Sequence, residues 1–374
     1  MPITFFKQAA SLAVLTSLLF TPALQAEPRA KPTAKKPAGA KIRNVSATPD
    51  STSEFANFTQ WQEVAEFIDQ MVEKHGFTRT ELEEIFRQVR YVDRAIQLIK
   101  PAPPTRPKNW QAYRARFVEP LRINAGVAFW DAHADTLARA EERYGVPAEI
   151  IVGIIGVETI YGRNTGSFRV LDALATLGFD YPAAPNRAKR MDFFRRELEQ
   201  TLLFARESKL DPFDLLGSYA GAIGLPQFMP GSIRRFAVDF NGDGRVDLRN
   251  SPVDAIGSVA NFLVEHGWKR GEPIVFPATV ASTENPPSWE KFIGQGLEAK
   301  YNLEELATAG VSTSTAPPTS LQYGLVDLQN GTEPTEYWLG TVNFFAVTKY
   351  NRSFFYAMSV VDLGRAVRQA REVK

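Results

Sequence analysis

The chain has 374 residues, of which 44% are hydrophobic and 23% are charged, so it is long enough to bury a large core and to form two or three domains. Its formal net charge of +1 excludes the strong basic excess that is typical of nucleic-acid-binding proteins. The sequence has no cysteine, which excludes disulfides, thiolate metal sites, a cysteine nucleophile and a lipid-modified N-terminal cysteine.

The N-terminus has the pattern of a secretory signal peptide. Lys7 precedes an apolar stretch over residues 9–20, and the segment TPALQA then predicts cleavage after Ala26. The alternative is an uncleaved anchor, but the apolar stretch is short for a membrane span, which needs about 20 residues. Residues 27–55 are rich in Pro, Ala and Lys, which predicts a flexible basic linker. We therefore expect an exported protein with no stable membrane span after signal cleavage.

Helical periodicity dominates the next part of the chain. A helix is predicted from Phe58 to a stop at Gly76, and a second from a capping box at Thr78 to Lys100. Further helices are predicted over residues 110–118, 125–144, 147–161, 191–207 and 252–265. Short extended runs between Pro273 and Leu328 predict a small β insertion, and helices return from Tyr337. The predicted fold class is α+β, mainly α.

A single glutamate stands out in the apolar segment VPAEIIVGIIGVETIYG, residues 146–162. On a helix, Glu158 falls on the apolar stripe that Ile151 and Ile155 define. Burial there raises the pKa of a carboxyl group, and glycosidic cleavage needs an acid that stays protonated near neutral pH. The structural alternative is a buried glutamate that is paired with an arginine, for which Arg163 and Arg190 are candidates.

A glycine-rich segment, GSYAGAIGLPQFMPGS, follows at residues 217–232. Its glycines let a ligand approach the backbone, and the polar side chains of Ser218 and Gln227 can bind sugar hydroxyl or acetamido groups. The segment lacks the Gly-Lys-Ser/Thr ending of a phosphate-binding loop. From these residues alone, a tight loop that packs helices together is an equally good interpretation.

These two segments and two later ones closely resemble the membrane-bound lytic murein transglycosylase B family of bacterial murein-degrading enzymes. The later segments are DAIGSVANFLVEHGW, residues 254–268, and YWLGTVNFFAVTKYNRSFFYAM, residues 337–358. All four occur in the family's order, and the likeness extends from about Phe58 to the C-terminus. The chain lacks the lipobox cysteine of many members, so it resembles a soluble, periplasmic form.

The resemblance implies a lysozyme-like catalytic core, a helical domain and a small β domain. The expected helical domain spans residues 56–141 and is joined by the C-terminal helix 355–374. The expected core combines residues 142–270 with 337–354. The β domain is expected over residues 271–336.

The resemblance also implies site residues. Glu158 matches the catalytic glutamate of the family. The matched substrate-binding residues are Tyr113, Lys189, Arg190, Ser218, Gln227, Asn351 and Tyr356, and we add Tyr350 as an aromatic side chain that can contact a sugar. A lysine cannot reproduce the forked geometry of an arginine, so the contact of Lys189 with a peptide carboxylate is expected to be less specific.

The implied reaction cleaves the β-1,4 bond between N-acetylmuramic acid and N-acetylglucosamine and leaves a 1,6-anhydromuramyl end without consuming water. Ordinary glycosidases use two carboxylates, and no second one stands out here. We interpret Asp172 and Asp180 as solvated or capping residues. The sequence thus favours a mechanism in which Glu158 acts as acid and then as base, with no catalytic cofactor.

Two alternatives to this function remain open. A hydrolytic muramidase would share the fold and Glu158 but would release reducing ends. A peptidoglycan-binding scaffold would use the cleft to recruit penicillin-binding proteins or other cell-wall enzymes. In each case the expected partner is the peptidoglycan strand rather than a nucleic acid, and the expected location is the periplasm.

A calcium loop is predicted over residues 239–254. The run DFNGDGRVD places oxygen ligands at alternate positions and glycine at the sharp turn, as at the start of an EF-hand. Asn250 occupies the twelfth position, where Glu is standard, so Asp254 is expected to close a longer loop. The predicted Ca²⁺ ligands are Asp239, Asn241, Asp243, the Arg245 carbonyl and Asp254, and the ion's role is structural. The alternative is a Gly/Asp-rich turn that needs no ion.

Overall fold

The computed structural model describes residues 58–100, 107–281 and 288–373. The predicted signal peptide and basic linker lie outside these residues. The described residues form two compact units, 58–91 and 92–373. No helix within the described part of the chain is both long and apolar enough to cross a membrane.

The first unit is helical. It contains a short 3-10 helix, Phe58–Gln60, followed by α1, Gln62–His75, and α2, Arg79–Gln88. Gly76 ends α1 in the left-handed conformation, as predicted. The Thr78 side chain accepts the N–H of Glu81, which confirms the predicted helix start, although only this half of the capping box is present. The predicted continuation to Lys100 is wrong, because Val89 adopts an extended conformation that ends α2.

The second unit carries the remaining helices. These are α3 Asp93–Ile99, α4 Trp110–Arg114, α5 Pro120–Ala132, α6 Ala134–Tyr144, α7 Ala148–Thr159, α8 Val170–Phe179, α9 Arg187–Glu207, α10 Pro230–Phe236, α11 Pro252–Glu265, α12 Leu303–Thr308, α13 Val342–Thr348 and α14 Phe354–Glu372. The sequence did not predict α8, α10 or α12. The helix predicted over residues 125–144 is two helices, since non-helical backbone at His133 separates α5 from α6.

Helix α7 forms the centre of this unit. Ten of its twelve residues are buried, and only Glu149 and Glu158 are partly exposed. The helix is therefore apolar on all sides rather than along one stripe, as expected of a helix with neighbours all round. The environment of Glu158 is set by this surrounding apolar packing.

Helices α7 and α14 pack in close contact because glycines replace larger side chains at their crossing. A Cβ atom built on Gly153 would lie 2.3 Å from the carbonyl oxygen of Val360. A Cβ atom on Gly364 would lie 2.2 Å from the carbonyl oxygen of Glu149. Glu149 precedes Gly153 in α7, whereas its partner Gly364 follows Val360 in α14. The two helices therefore run antiparallel, and the start of α14 lies beside the end of α7.

The strands form two antiparallel sheets. One sheet has two strands, β1, Phe168–Arg169, and β2, Leu216–Gly217. The other has four strands, which are β3 Val275–Val280, β4 Val311–Ser312, β5 Gly324–Asn330 and β6 Glu333–Gly340. Their order in the sheet is β4-β3-β6-β5. The predicted return to helix at Tyr337 is wrong, because this residue lies in β6 and pairs with Ala278 on one side and Asp327 on the other. The described residues thus form mainly helices with two small antiparallel sheets, which confirms the fold class predicted from the sequence, α+β and mainly α.

Candidate active site

Glu158 lies in the last turn of α7, and its side chain is half-buried. Burial disfavours the charged carboxylate and raises its pKa to about 7, although a hydrogen bond from Tyr356 acts in the opposite direction. A carboxyl group with this pKa is substantially protonated at neutral pH. It can therefore donate a proton and later accept one.

Tyr356 is the direct partner of Glu158. Its hydroxyl donates a hydrogen bond to Oε1 of Glu158 over 2.6 Å, and the tyrosine is only 2% exposed. Tyr356 lies in the first turn of α14, where its backbone N–H is capped by Ser353. Among the described residues, no arginine forms an ion pair with Glu158, so the arginine-paired alternative is not observed in this structure.

Two more tyrosines surround the carboxyl group. The Tyr350 ring lies nearly parallel to that of Tyr356, with the ring centres 6.2 Å apart. Burial raises the pKa of Tyr113 to about 12; the charge of Arg116 lowers it and that of Glu158 raises it. The electrostatic coupling indicates that Tyr113 lies close to Glu158. Three of the predicted substrate-binding residues therefore lie around the predicted acid.

The glycine-rich loop reaches this site through Pro226, whose carbonyl oxygen accepts a hydrogen bond from the Tyr350 hydroxyl. Gln227 follows with a positive φ of 51°, and its side-chain amide group donates to the carbonyl oxygens of Gly224 and Thr165. Both amide hydrogens of Gln227 are thus used, and its side-chain oxygen is the group that can accept a hydrogen bond from a ligand. Hydrogen bonds therefore hold the Gln227 side chain and the Pro226 carbonyl group of this loop in place.

Ser218 lies at the start of the same loop. Its hydroxyl oxygen accepts the backbone N–H of Ala222, which leaves the hydroxyl hydrogen available as a donor.

The other predicted substrate-binding residues lie on different elements. Lys189 and Arg190 lie in the first turn of α9, where the charge of Arg190 lowers the pKa of Tyr181. Asn351, by contrast, is buried, with 7% exposed.

The two aspartates near Glu158 in sequence are held by arginines. Asp172 is 5% exposed and pairs with Arg169 at 3.0 Å. The prediction of a solvated residue is therefore wrong, because Asp172 is buried and Arg169 supplies the opposite charge that compensates for its burial. Asp180 is half-buried and pairs with Arg187 at 3.3 Å. Both carboxylates are already engaged with cations.

The loop over residues 239–254 has the turn structure that its sequence predicts. Gly242 and Gly244 take positive φ values of 78° and 91°, and the Asp239 carboxylate accepts the backbone N–H groups of both. The fully buried Asp254 closes the loop by accepting the N–H groups of Phe240, Asn241 and Asp247.

The oxygen donors of this loop suit a hard cation such as Ca²⁺. Asp239, Asn241 and Asp243 supply them at alternate positions. Across the residues that the structure describes, no three His, Cys, Asp or Glu side chains come close enough to hold a metal. The loop carboxylates are instead turned towards backbone amides.

An acid that stays protonated near neutral pH is the group needed to protonate a glycosidic oxygen. The fold and the Glu158 carboxyl group are therefore those expected of an enzyme that cleaves glycans. Residues 59–365 match the family described as the transglycosylase SLT domain. The chain belongs to this family of lytic transglycosylases.

Individual relatives agree with this assignment. Membrane-bound lytic murein transglycosylase B of Escherichia coli K12 is 44% identical over 326 residues, which cover 85% of each chain. The soluble lytic transglycosylase SltB1 of Pseudomonas aeruginosa has a TM-score of 0.75 and 47% identity, covering 83% of this chain and 99% of that one.

Two further solved relatives contain ligands. The E. coli lytic transglycosylase Slt35 in complex with calcium has a TM-score of 0.74 and 43% identity, covering 85% of this chain and 96% of that one. SltB3 of P. aeruginosa in complex with NAG-anhNAM-pentapeptide has a TM-score of 0.68 and 29% identity, covering 82% and 79%. The resemblance and the lysozyme-like fold are thereby confirmed, and the chain is a peptidoglycan lytic transglycosylase.

Proposed function

We propose that Glu158 is the single acid and base of this lytic transglycosylase. The observation that supports the proposal is a carboxyl group in an apolar helix, with a pKa raised by burial to about 7 and a tyrosine hydroxyl as its hydrogen-bond partner. A pKa near the working pH balances the fraction of protonated acid against the basicity of its carboxylate. One group can then serve both halves of the reaction.

In the first half, Glu158 transfers its proton to the glycosidic oxygen, and the bond between that oxygen and C1 of the muramyl residue breaks. The muramyl N-acetyl group shields the positive charge that develops at C1. In the second half, the Glu158 carboxylate removes the proton from the 6-hydroxyl of the same sugar. The freed oxygen attacks C1 and closes the 1,6-anhydro ring, so Glu158 is protonated again and no water is consumed.

Intramolecular attack has an entropic advantage when the sugar is held in a suitable geometry. We assign the holding of the sugar to Ser218 as a hydrogen-bond donor and to the Gln227 side-chain oxygen as an acceptor. Tyr113, Tyr350 and Asn351 contribute to the walls of the cleft. Tyr356 keeps the Glu158 carboxyl group in place, and Lys189 and Arg190 are the proposed contacts for the carboxylates of the stem peptide.

The proposal is tested with purified murein and two variants. Glu158→Gln removes the titrating group at nearly constant size, and we expect release of anhydromuropeptides to fall by about 10²- to 10⁴-fold. The matched control is Glu197→Gln, because Glu197 is also buried with a raised pKa but caps the N–H of Gly231. The control is expected to cleave murein like the wild type.

Products are identified by mass spectrometry of the released fragments. Anhydro ends that form at similar rates in the wild type and Glu197→Gln, and at least about 10²-fold more slowly in Glu158→Gln, support the proposal. Reducing ends would identify a hydrolytic muramidase. Equal activity of Glu158→Gln and the wild type would contradict the role of Glu158.

We also propose that the enzyme works in the periplasm and that Ca²⁺ binds the loop over residues 239–254. The E. coli relative is named as a membrane-bound murein enzyme, and Slt35 was solved with calcium. The proposed ligands are Asp239, Asn241, Asp243, the Arg245 carbonyl and Asp254. When bound, Ca²⁺ would neutralise the loop carboxylates and stabilise the loop. Fractionation of cells and N-terminal sequencing of the mature chain test the location.

A further inference from the structure

The chain leaves α7 immediately after Glu158 through an unusual turn. Ile160, Tyr161 and Gly162 have φ values of 52°, 57° and 89°, so three successive residues lie in the left-handed region. Two of them carry side chains, one of which is β-branched, and such residues adopt this conformation only at an energetic cost. Surrounding interactions must therefore hold the turn in this shape.

Thr159 supplies the central interaction. The residue is fully buried, and its hydroxyl donates to the carbonyl oxygen of Leu225 over 2.8 Å. The same oxygen accepts the backbone N–H of Gly162 over 3.0 Å. A single side chain thus joins the end of α7, the strained turn and the glycine-rich loop.

This contact belongs to a closed ring of interactions around the active site. Leu225 precedes Pro226, whose carbonyl oxygen accepts the hydroxyl of Tyr350. The ring of Tyr350 lies parallel to that of Tyr356, and Tyr356 returns to Glu158 through its hydroxyl. The glycine-rich loop is therefore tied to the catalytic acid on two sides, and Thr159 forms one of the two ties.

We propose that Thr159 is a positioning residue that sets the distance between the Glu158 carboxyl group and the loop that carries Gln227. This inference rests on the proposed role of Glu158. Thr159 forms no bond to the carboxyl group and does not tune its pKa. It holds the bound sugar and the acid in one fixed relation, and a displacement of about 1 Å in such a relation can reduce the rate about 10²-fold.

Two substitutions isolate the hydroxyl. Thr159→Val keeps the shape of the side chain but leaves the Leu225 carbonyl and the Gly162 N–H without their partner. Thr159→Ser keeps the hydroxyl and loses only a methyl group. With soluble muropeptide substrate, we expect kcat of Thr159→Val to fall about 10²-fold with a much smaller change in KM, and Thr159→Ser to restore most of the activity.

The matched control is Thr201→Val. Thr201 is also fully buried, and its hydroxyl bonds within α9 to the carbonyl oxygen of Glu197. Rates are expressed per folded molecule, as measured by circular dichroism. If Thr159→Val fails to fold, the comparison is made between Thr159→Ala and Thr159→Ser, which both lack the methyl group and differ only in the hydroxyl.

A loss of kcat that is confined to the variants without a Thr159 hydroxyl, with an unchanged alkaline limb of the pH profile, supports the proposal. It is overturned if Thr159→Val loses only thermal stability, if Thr201→Val loses as much kcat, or if the alkaline limb moves. An active Glu158→Gln variant would instead overturn the role of Glu158, so the two failures are distinguishable.

Discussion

The hydroxyl of Tyr356 donates a 2.6 Å hydrogen bond to Oε1 of Glu158, and the two residues are 198 positions apart in the chain. Burial favours the neutral acid, whereas this hydrogen bond favours the carboxylate. The resulting pKa of about 7 keeps both forms accessible at neutral pH. An acid that must become a base within one reaction cycle requires this balance.

Tyr356→Phe removes the hydrogen bond that lowers the pKa of Glu158. The pKa is therefore expected to rise above about 7, and the alkaline limb of the kcat/KM profile, where the acid loses its proton, should move to higher pH. The rate itself should fall roughly 10- to 100-fold, since a hydrogen bond to a charged group contributes about 1.5–3 kcal/mol.

Tyr350→Phe is the control for this shift. It removes a neighbouring buried hydroxyl that bonds to Pro226, and it leaves the bond between Tyr356 and Glu158 in place. Its alkaline limb should stay at the wild-type position, whatever happens to kcat. An unmoved limb in Tyr356→Phe would mean that this tyrosine does not influence the carboxyl group.

Glu158 should also make the stability of the protein depend on pH. Its pKa is raised from 4.5 to about 7 on folding, so its contribution is fully present below about 4.5 and is lost as the pH rises through about 7. Glu158→Gln lacks this dependence. Compared with the wild type, the variant should gain free energy of unfolding between pH 5 and pH 8, by at most about 3 kcal/mol.

Denaturant titrations at several pH values measure this difference. The raised pKa of Glu197 is common to both proteins, so its effect cancels in the comparison. Parallel pH dependences for wild type and variant would show that Glu158 has an ordinary pKa in the folded protein.

Gly153→Ala tests the helix packing that brings the two site residues together. The added methyl group would lie 2.3 Å from the backbone oxygen of Val360, which cannot move without displacing α14. We expect a loss of about 1–3 kcal/mol in stability and a larger proportional loss of kcat, because Tyr356 moves away from Glu158. Thermal melts and muropeptide kinetics give the two quantities.

Gly178→Ala is a suitable comparison because Gly178 is also a buried helical glycine. The nearest atoms to its added methyl group are Cγ and the backbone N of Arg195, at 3.2 Å and 3.3 Å, so a much smaller displacement accommodates the methyl group than at Gly153. This variant should be close to the wild type in both measurements. If Gly153→Ala is destabilised but keeps wild-type kinetics, the packing of α7 against α14 does not affect catalysis, and the prediction is wrong.

Calcium is expected to raise the Tm of the mature protein relative to a sample in EGTA, because a ligand that binds only the folded state stabilises it. Asp243→Asn should reduce this rise, while Asp135→Asn, at an exposed position in α6, should retain it. Cleavage of muropeptides at a temperature where both samples are folded should continue in EGTA. A Tm that is unaffected by Ca²⁺ in the wild type would favour the ion-free turn.

The features that could be predicted from the sequence are those that a contiguous segment encodes. The apolar segment around Glu158 predicts a buried acid, and the run from Asp239 predicts a tight, oxygen-rich turn. In each case, residues that are close in sequence create the environment that determines the property. A short segment of sequence is therefore sufficient to predict it.

The features that could not be predicted depend on tertiary packing. The contact between Tyr356 and Glu158 requires α7 and α14 to cross at Gly153 and Gly364, and no local pattern specifies that pairing. The strand at Tyr337 resembles a helix start in sequence, but pairing on both sides decides its conformation. The role of Thr159 likewise exists only once the glycine-rich loop has folded against α7.

The most direct test of single-carboxylate transglycosylation is digestion of murein in water enriched in ¹⁸O, followed by mass spectrometry of the released muropeptides. We predict anhydromuramyl ends that carry no ¹⁸O, because the 6-hydroxyl of the sugar is the attacking group. Reducing ends with one solvent-derived oxygen would show that water attacks C1, and would contradict the mechanism proposed for Glu158.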